Sequence, residues 1–243
     1  RLANTVSGQR LYSWEIVSRD GAPVSSACEI EIMPKRGLAD CERPDNLLVC
    51  AGIGAHLFND ALTSGWLRRW ARMGSHLGAV CNGPHVLARA GLLNGYRSTI
   101  HWSSIDCLSE EFPEIEVRPG LFEIDRDRIT CAGGIASLDL MLHHIRQTHG
   151  RDLAGQVAEL FMMERIRDGD DDQRLPLQVR GRLTHPVLLR AIREMEKKRA
   201  GMGMGVGMGM GFYLEYHELT DHLIRHSSIV NAVIRFDTTT RSI

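Results

Sequence analysis

The chain has 243 residues, of which 43% are hydrophobic, and it carries a formal net charge of −1 at pH 7. This length is enough to bury a core in one large domain, or in one domain plus a smaller piece, and the balanced charge gives no global indication of a nucleic-acid or anionic-membrane partner. There is no run of about 18 apolar residues and no signal-peptide pattern, so we expect a cytoplasmic protein without a transmembrane helix.

From residue 14 to residue 166, short apolar segments alternate with segments of helical periodicity. Strands are predicted within residues 14–26, 28–34, 45–54, 76–83, 96–102, 115–119 and 121–134. Helices are predicted over residues 60–74, 84–93, 136–150 and 151–166. Strands that alternate with helices indicate an α/β domain with a largely parallel sheet.

The composition changes near residue 168. The acidic run DGDDDQ indicates a solvated linker, and residues 174–199 contain eight Arg or Lys against two Glu. That basic stretch is either an ordinary solvated helix face or the start of a DNA-contacting module. Glycine at every second position of 201–211 favours neither helix nor strand, so we expect residues 200–243 to be a disordered tail.

The six cysteines are widely and irregularly spaced, and no C-x-x-C occurs. They are Cys28, Cys41, Cys50, Cys81, Cys107 and Cys131. This pattern argues against structural zinc and favours reduced thiols, most of them acting as small buried hydrophobes. His143 and His144 are neighbours on a predicted helix, point in different directions and form no metal pair. We therefore expect neither a metal nor a cofactor.

Cys81 stands between a predicted buried strand and a predicted helix, at the edge where open α/β sheets bind ligands. A tight turn there exposes the side chain, and the helix N-terminus favours the thiolate. The backbone N–H of Asn82, with a donor from the loop Gly52, Ile53 and Gly54, would cradle an oxyanion or a carboxylate. His101 closes a nearby strand and is placed as a base or hydrogen-bond partner, or else is a buried histidine satisfied by the backbone.

Two further residues have open interpretations. Trp102 is either a core residue or a pocket wall whose face holds a quaternary ammonium by cation–π attraction. Asp139 stabilises the first turn of its helix, which we favour, or contacts a cationic effector.

Cys81-Asn82-Gly83, the following VLARAGLLNGYRSTIHW and CAGGIASLDLMLHHI resemble the class I glutamine amidotransferase-like (ThiJ/PfpI) domain. More narrowly, they resemble the version fused to an AraC-type DNA-binding domain in GlxA-type bacterial regulators, in the branch that senses carnitine, glycine betaine or arginine. The resemblance implies a flavodoxin-like, mostly parallel sheet sandwiched by helices. It also implies that the chain begins after the family's first strand, a central one, and is truncated at both ends.

The resemblance places Cys81 on the family's elbow cysteine, His101 on its histidine partner and Trp102 on the aromatic that follows. The acidic residue that the family's enzymes use lies upstream of this chain, so we expect a sensor and not an enzyme. The alternative is a cysteine-dependent hydrolase or hydratase of the same superfamily.

The implied organisation has four parts. They are a sensor domain over 1–167, a linker over 168–184, the first helix of an incomplete AraC-type DNA-binding helix-turn-helix domain over 185–199, and the tail over 200–243. The expected partners are a small amine or amino-acid effector, a second copy of the chain in a homodimer and, in the full-length family, DNA.

Overall fold

The computed structural model describes residues 1–26, 30–174, 186–187, 190–191 and 232–238. Its centre is a seven-stranded sheet flanked by helices. The strands of this sheet are β1 (Tyr12–Ser18), β4 (Arg36–Gly37), β5 (Asn46–Ala51), β6 (His76–Cys81), β9 (Phe122–Asp125), β10 (Arg128–Cys131) and β11 (Ala232–Thr238), in the order β4-β1-β11-β5-β6-β10-β9. Two small ladders join β2 (Val24–Ser25) to β3 (Glu31–Ile32) and β7 (Arg97–Ser98) to β8 (Glu116–Val117).

The helices are α1 (Leu2–Ser7), α2 (Ala61–Arg72), α3 (Pro84–Arg89), α4 (Ile105–Glu111), α5 (Ala136–His149) and α6 (Arg151–Leu160). Helices α2 and α3 pack with the sheet around one buried cluster, which includes Leu67, Leu77 and Leu87. Helices α1, α5 and α6 form a second cluster that includes Leu142 and Val157. Each of these helices buries an apolar stripe against the sheet or against another helix, and this burial gives the layered arrangement.

The direction of the strands confirms the predicted fold class. Strands β5, β6 and β10 pair in parallel, and β1 runs in the same direction, because β11 is antiparallel to both β1 and β5. With β4 parallel to β1, five of the seven strands point the same way. The connection from β5 to β6 runs through α2, whose N-cap Asp60 accepts a hydrogen bond from the Thr63 backbone N–H at 3.0 Å. That cap begins the helix within one residue of the predicted start.

Strand β11 corrects part of the expectation for the tail. The chain was predicted to be disordered from residue 200, yet β11 holds a central position between β1 and β5. Val233 lies opposite Val17 and Val49, and all three side chains are buried. The apolar run AVIRF satisfies its backbone groups on both sides while it covers core surface, so it forms a strand in spite of its distance along the chain.

The end of α6 is a second difference. The helix was predicted to reach residue 166 but ends at Leu160, and the turn that ends it contains Met162 with a positive φ of 53°. The predicted linker at 168–184 is described only up to Arg174, and that part lies against the domain. Most of the predicted helix at 185–199 lies outside the described residues, as does the Gly-Met tract. None of the helices in the described ranges is long and apolar enough to cross a bilayer.

Candidate functional site

Cys81 is the last residue of β6, and its backbone has a conformation that residues other than glycine rarely adopt. Its φ is +58°, and α3 begins three residues later at Pro84. The turn after β10 approaches it so closely that a Cβ on Gly133 would stand 2.6 Å from the Cys81 Cβ. Positive φ at a non-glycine residue stores strain, and such strain concentrates at functional sites. The predicted elbow is therefore present, and it is enforced by a neighbouring glycine turn.

The protonation of Cys81 differs from the sequence expectation. Burial raises the pKa of the Cys81 thiol above its ordinary value, and the hydrogen bond from the Asn82 backbone N–H only partly opposes this. The same Asn82 N–H donates to the carbonyl oxygen of Ala51 at 2.9 Å. Burial therefore favours the thiol at Cys81, against the predicted preference for thiolate, and the predicted oxyanion donor already has a partner.

His101 lies at the same edge as Cys81, and its ring Nδ1 is bonded to Ser103. The backbone N–H of His101 donates to the carbonyl oxygen of Cys81 at 3.2 Å, so the two residues are adjacent. The ring Nδ1 lies 2.8 Å from Ser103 Oγ and accepts from the Ser103 backbone N–H at 3.4 Å. Burial lowers the pKa of His101, which favours the neutral ring. Among the described residues no hydrogen bond joins the His101 ring to the Cys81 sulfur, so the structure contains no formed nucleophile–base pair.

The loop after β5 borders this edge. Ala51 pairs with Cys81 in the parallel register, so Gly52, Ile53 and Gly54 follow directly beside the elbow. Gly52 and Ile53 are exposed. The structure thus brings the predicted loop to the predicted edge.

Trp102 forms an exposed aromatic surface next to His101. Its side chain is 45% exposed, and its ring lies 5.4 Å from the His101 ring. The guanidinium of Arg174 lies over the Trp102 ring at 4.4 Å from the centroid. The Trp102 ring, which the sequence analysis suggested as a contact for a cationic ligand, is therefore already in contact with a cation of the chain itself. The sequence did not predict this contact.

Asp139 combines the predicted role with an unpredicted one. It lies in the first turn of α5, as expected, and is completely buried. It also accepts hydrogen bonds from the Arg167 backbone N–H at 2.9 Å, from Nε at 3.0 Å and from Nη2 at 2.6 Å. A buried carboxylate needs such a partner. The only hint in the sequence was the Arg/Asp-rich run that follows α6.

Buried His85 was also missed. It lies in α3, four residues after Cys81, and burial together with the neighbouring His56 and Arg89 lowers its pKa to about 4. His143 and His144 diverge as predicted, since His143 contacts Phe122 and His144 contacts Tyr12. Within the described residues no three His, Cys, Asp or Glu side chains are arranged to hold a metal ion.

The structure is a layered α/β domain with a cysteine at a strained strand–helix elbow, and comparison with known proteins agrees with this arrangement. The DJ-1/PfpI family model matches residues 9–147. The chain belongs to the DJ-1/PfpI family, which confirms the resemblance seen in the sequence.

Three similar proteins bear on function. The HTH-type transcriptional regulator GbdR of Pseudomonas aeruginosa is 40% identical over 196 residues, which cover 81% of this chain and 53% of GbdR. An isonitrile hydratase of Pseudomonas putida is 32% identical over 142 residues, which cover 57% of this chain and 60% of the hydratase. The crystal structure of an AraC family transcriptional regulator from Pseudomonas putida superposes with a TM-score of 0.54 and 32% identity, covering 60% of this chain and 78% of that one. This chain thus spans only about half the length of GbdR.

Proposed function

We propose that this chain is the effector-binding part of a bacterial AraC-type transcription regulator, and that a small amine or amino-acid metabolite binds at the carboxyl edge of the sheet. The observation that carries the proposal is the state of the elbow. Its thiol has a raised pKa, and the neighbouring His101 ring is bonded to Ser103. The similarity to GbdR over 81% of the chain supports the regulator class.

The chemistry of the edge favours binding without turnover. A cysteine nucleophile needs a thiolate and a base within hydrogen-bond reach. Burial disfavours the first at Cys81, and the described hydrogen bonds of His101 do not supply the second. A strained, half-buried thiol beside an open loop can still shape a pocket and contact a ligand.

Two features support a cationic or amine ligand. Trp102 exposes a ring face, and a guanidinium already lies over it at 4.4 Å. Aromatic faces attract ammonium and guanidinium groups through the ring quadrupole. In addition, the buried Oδ1 of Asn82 makes no hydrogen bond within the described part of the chain. An unpaired buried acceptor costs free energy, so a ligand N–H or O–H that reaches it gains affinity.

Isothermal titration of the full chain with glycine betaine, L-carnitine and L-arginine tests the proposal. We expect one of them to bind, and we expect Trp102→Ala to weaken that binding about two- to five-fold through loss of the cation–π contact. Trp14→Ala is the matched control, because Trp14 is similarly exposed, at 49%, but belongs to β1. Equal weakening by both variants, or no binding by any of the three compounds, would contradict the proposal.

A cysteine-dependent hydratase is the second candidate, and its support is the 32% identity to the isonitrile hydratase together with the strained elbow. The Cys81→Ser variant distinguishes the two functions. If the chain is a hydratase, the unmodified chain consumes an isonitrile and the Cys81→Ser variant does not. If Cys81→Ser removes a measurable turnover and leaves effector binding unchanged, the sensor proposal is wrong.

DNA and a second copy of the chain are part of the same proposal. AraC-type regulators use paired half-sites, so effector binding would shift the balance between two arrangements of a dimer on DNA. Sedimentation of the full chain with and without the bound effector tests the dimer, which we expect in both conditions.

A further inference from the structure

A segment that we call the strap, residues 162–174, leads from the end of α6 to the edge that holds Cys81. It begins at Met162, in the turn that ends α6, and is anchored by Arg167, whose guanidinium and backbone N–H bind the fully buried Asp139. Its middle is held by backbone contacts, since the Leu121 N–H donates to the Gly169 carbonyl oxygen at 2.6 Å and Gly120 pairs with Asp172 in an isolated bridge.

The far end of the strap is held by two polar side chains. Gln173 Nε2 lies within hydrogen-bond distance of three oxygens: the carbonyl of Gly120 at 2.8 Å, the carbonyl of Ile100 at 2.9 Å and Thr99 Oγ1 at 3.2 Å. Arg174 then places its guanidinium over Trp102. Ile100 directly precedes His101, so this end of the strap is attached to the segment that carries His101 and Trp102.

The two ends of the strap differ in how readily they can be exchanged. Asp139 has no solvent exposure, and Arg167 binds it through its backbone N–H, Nε and Nη2 together, so an external cation has to break three hydrogen bonds to replace it. Trp102 is 45% exposed and Arg174 is an exposed residue, so a dissolved cation can take the place of that guanidinium. The anchor is therefore permanent, whereas the contact at Trp102 is open to competition.

We propose that Arg174 is a built-in competitor for the effector: a cation that binds on Trp102 displaces Arg174, loosens Gln173 and frees the end of the strap, while Arg167 keeps the strap attached. This inference rests on the proposed sensor function and specifies how its site is read out. Residue 185, where the AraC-like stretch begins, follows Arg174 by eleven positions. Because the two cations compete for one face, the effector and strap release are linked reciprocally.

The first test measures affinity. Titration of the full chain with glycine betaine, L-carnitine and L-arginine is repeated on Arg174→Gln, which removes the competing cation and leaves Trp102 intact. We expect the compound that binds the unmodified chain to bind Arg174→Gln about two- to five-fold more tightly, the range of an exposed cation–π contact. Arg174→Lys is the matched control, because lysine keeps the positive charge, and its affinity should stay near that of the unmodified chain.

The second test follows the strap itself by trypsin cleavage, with fragments identified by mass spectrometry. Saturating ligand should speed cleavage after Arg174 several-fold and leave cleavage after Arg167 slow, since Arg167 stays bound to Asp139. Gln173→Glu replaces the donor amide with a carboxylate that faces the same oxygens. We expect this variant to be cleaved faster after Arg174 even without ligand.

The outcomes separate this inference from the function on which it rests. If a compound binds, if Trp102→Ala weakens it, and if Arg174→Gln leaves its affinity unchanged, the competitor role is wrong and the sensor stands. Ligand that speeds cleavage after Arg167 as much as after Arg174 likewise overturns the anchored strap. If no compound binds either the unmodified chain or Arg174→Gln, the cationic sensor and the competitor fail together.

Discussion

The strap and strand β11 both come from the C-terminal part of the chain, yet they attach to the domain by different forces. Strand β11 shares backbone ladders with β1 and β5 and adds Val233 to the buried cluster of the sheet. The strap packs Met163 and Ile166 against the cluster of α1, α5 and α6, and beyond them it is held by polar contacts, those of Arg167 with the buried Asp139 and of Gln173 with Thr99 and Ile100.

This difference indicates which segment can move without unfolding the domain. Apolar burial and a two-sided ladder are lost only when the sheet opens, whereas polar contacts at the surface can be exchanged for water or for a ligand. We therefore assign β11 to the stable framework and the end of the strap to the readout of the site.

The largest effect is expected from a charge in β11. Val233→Asp places a carboxylate between the buried Val17 and Val49, and should lower the free energy of unfolding by at least about 3 kcal/mol. Urea denaturation followed by circular dichroism measures the loss. Val187→Asp is the matched control, because Val187 is 69% exposed and should tolerate the change. Equal stability of the two variants would remove β11 from the framework.

An intermediate effect is expected at the anchor of the strap. Arg167→Ala leaves the buried Asp139 carboxylate without its guanidinium and should cost about 2 kcal/mol, a value below that of a fully sealed pair because the Arg167 side chain is 29% exposed. Arg146→Ala is the control, since Arg146 pairs with an exposed carboxylate of Asp168 and should cost less than about 1 kcal/mol.

The same urea measurement decides this comparison. If Arg146→Ala is as harmful as Arg167→Ala, burial of Asp139 does not distinguish the anchor from an ordinary surface ion pair. The strap would then lack the permanent end that the competitor model requires.

The sequence was informative where structure depends on neighbours along the chain. The apolar runs that end at Ala51 and Cys81 predicted two parallel strands and the edge that they share, and the elbow follows from a strand that turns directly into a helix. The placement of His101 near Cys81 was also predicted, although the strand expected over residues 96–102 is reduced to β7 and His101 follows it in a turn.

What the sequence did not predict depends on contacts between distant residues. Strand β11 pairs with β5, whose residues lie about 180 positions earlier in the chain. The pattern of apolar and polar residues in β11 does not indicate which strand it pairs with. The direction of the His101 ring is set by Ser103, and the raised pKa of Cys81 is set by burial, which no local pattern measures. The contact between the Arg174 guanidinium and the Trp102 ring joins residues 72 positions apart. It also depends on the turn at Met162, which no turn motif in the sequence predicted.

The smallest effect is expected from the exposed ion pair inside the strap. Asp171 accepts hydrogen bonds from Arg165 and from the Asp168 backbone N–H, and these hold the pKa of its carboxyl below the usual value. A lowered pKa means that the folded state binds fewer protons than the unfolded state, so unfolding at low pH takes up protons; this contribution is present above the ordinary pKa and disappears as the pH falls through the lowered one. Because the pair is exposed, water and salt replace it easily, and Asp171→Asn should leave the urea midpoint at pH 7 unchanged within error.

Trypsin cleavage after Arg165 should nevertheless become faster in Asp171→Asn, since the Arg165 guanidinium is released while the contact between Arg167 and the buried Asp139 remains. A shift of the urea midpoint as large as that of Arg167→Ala would show that the whole strap, and not only its anchor, belongs to the stable framework.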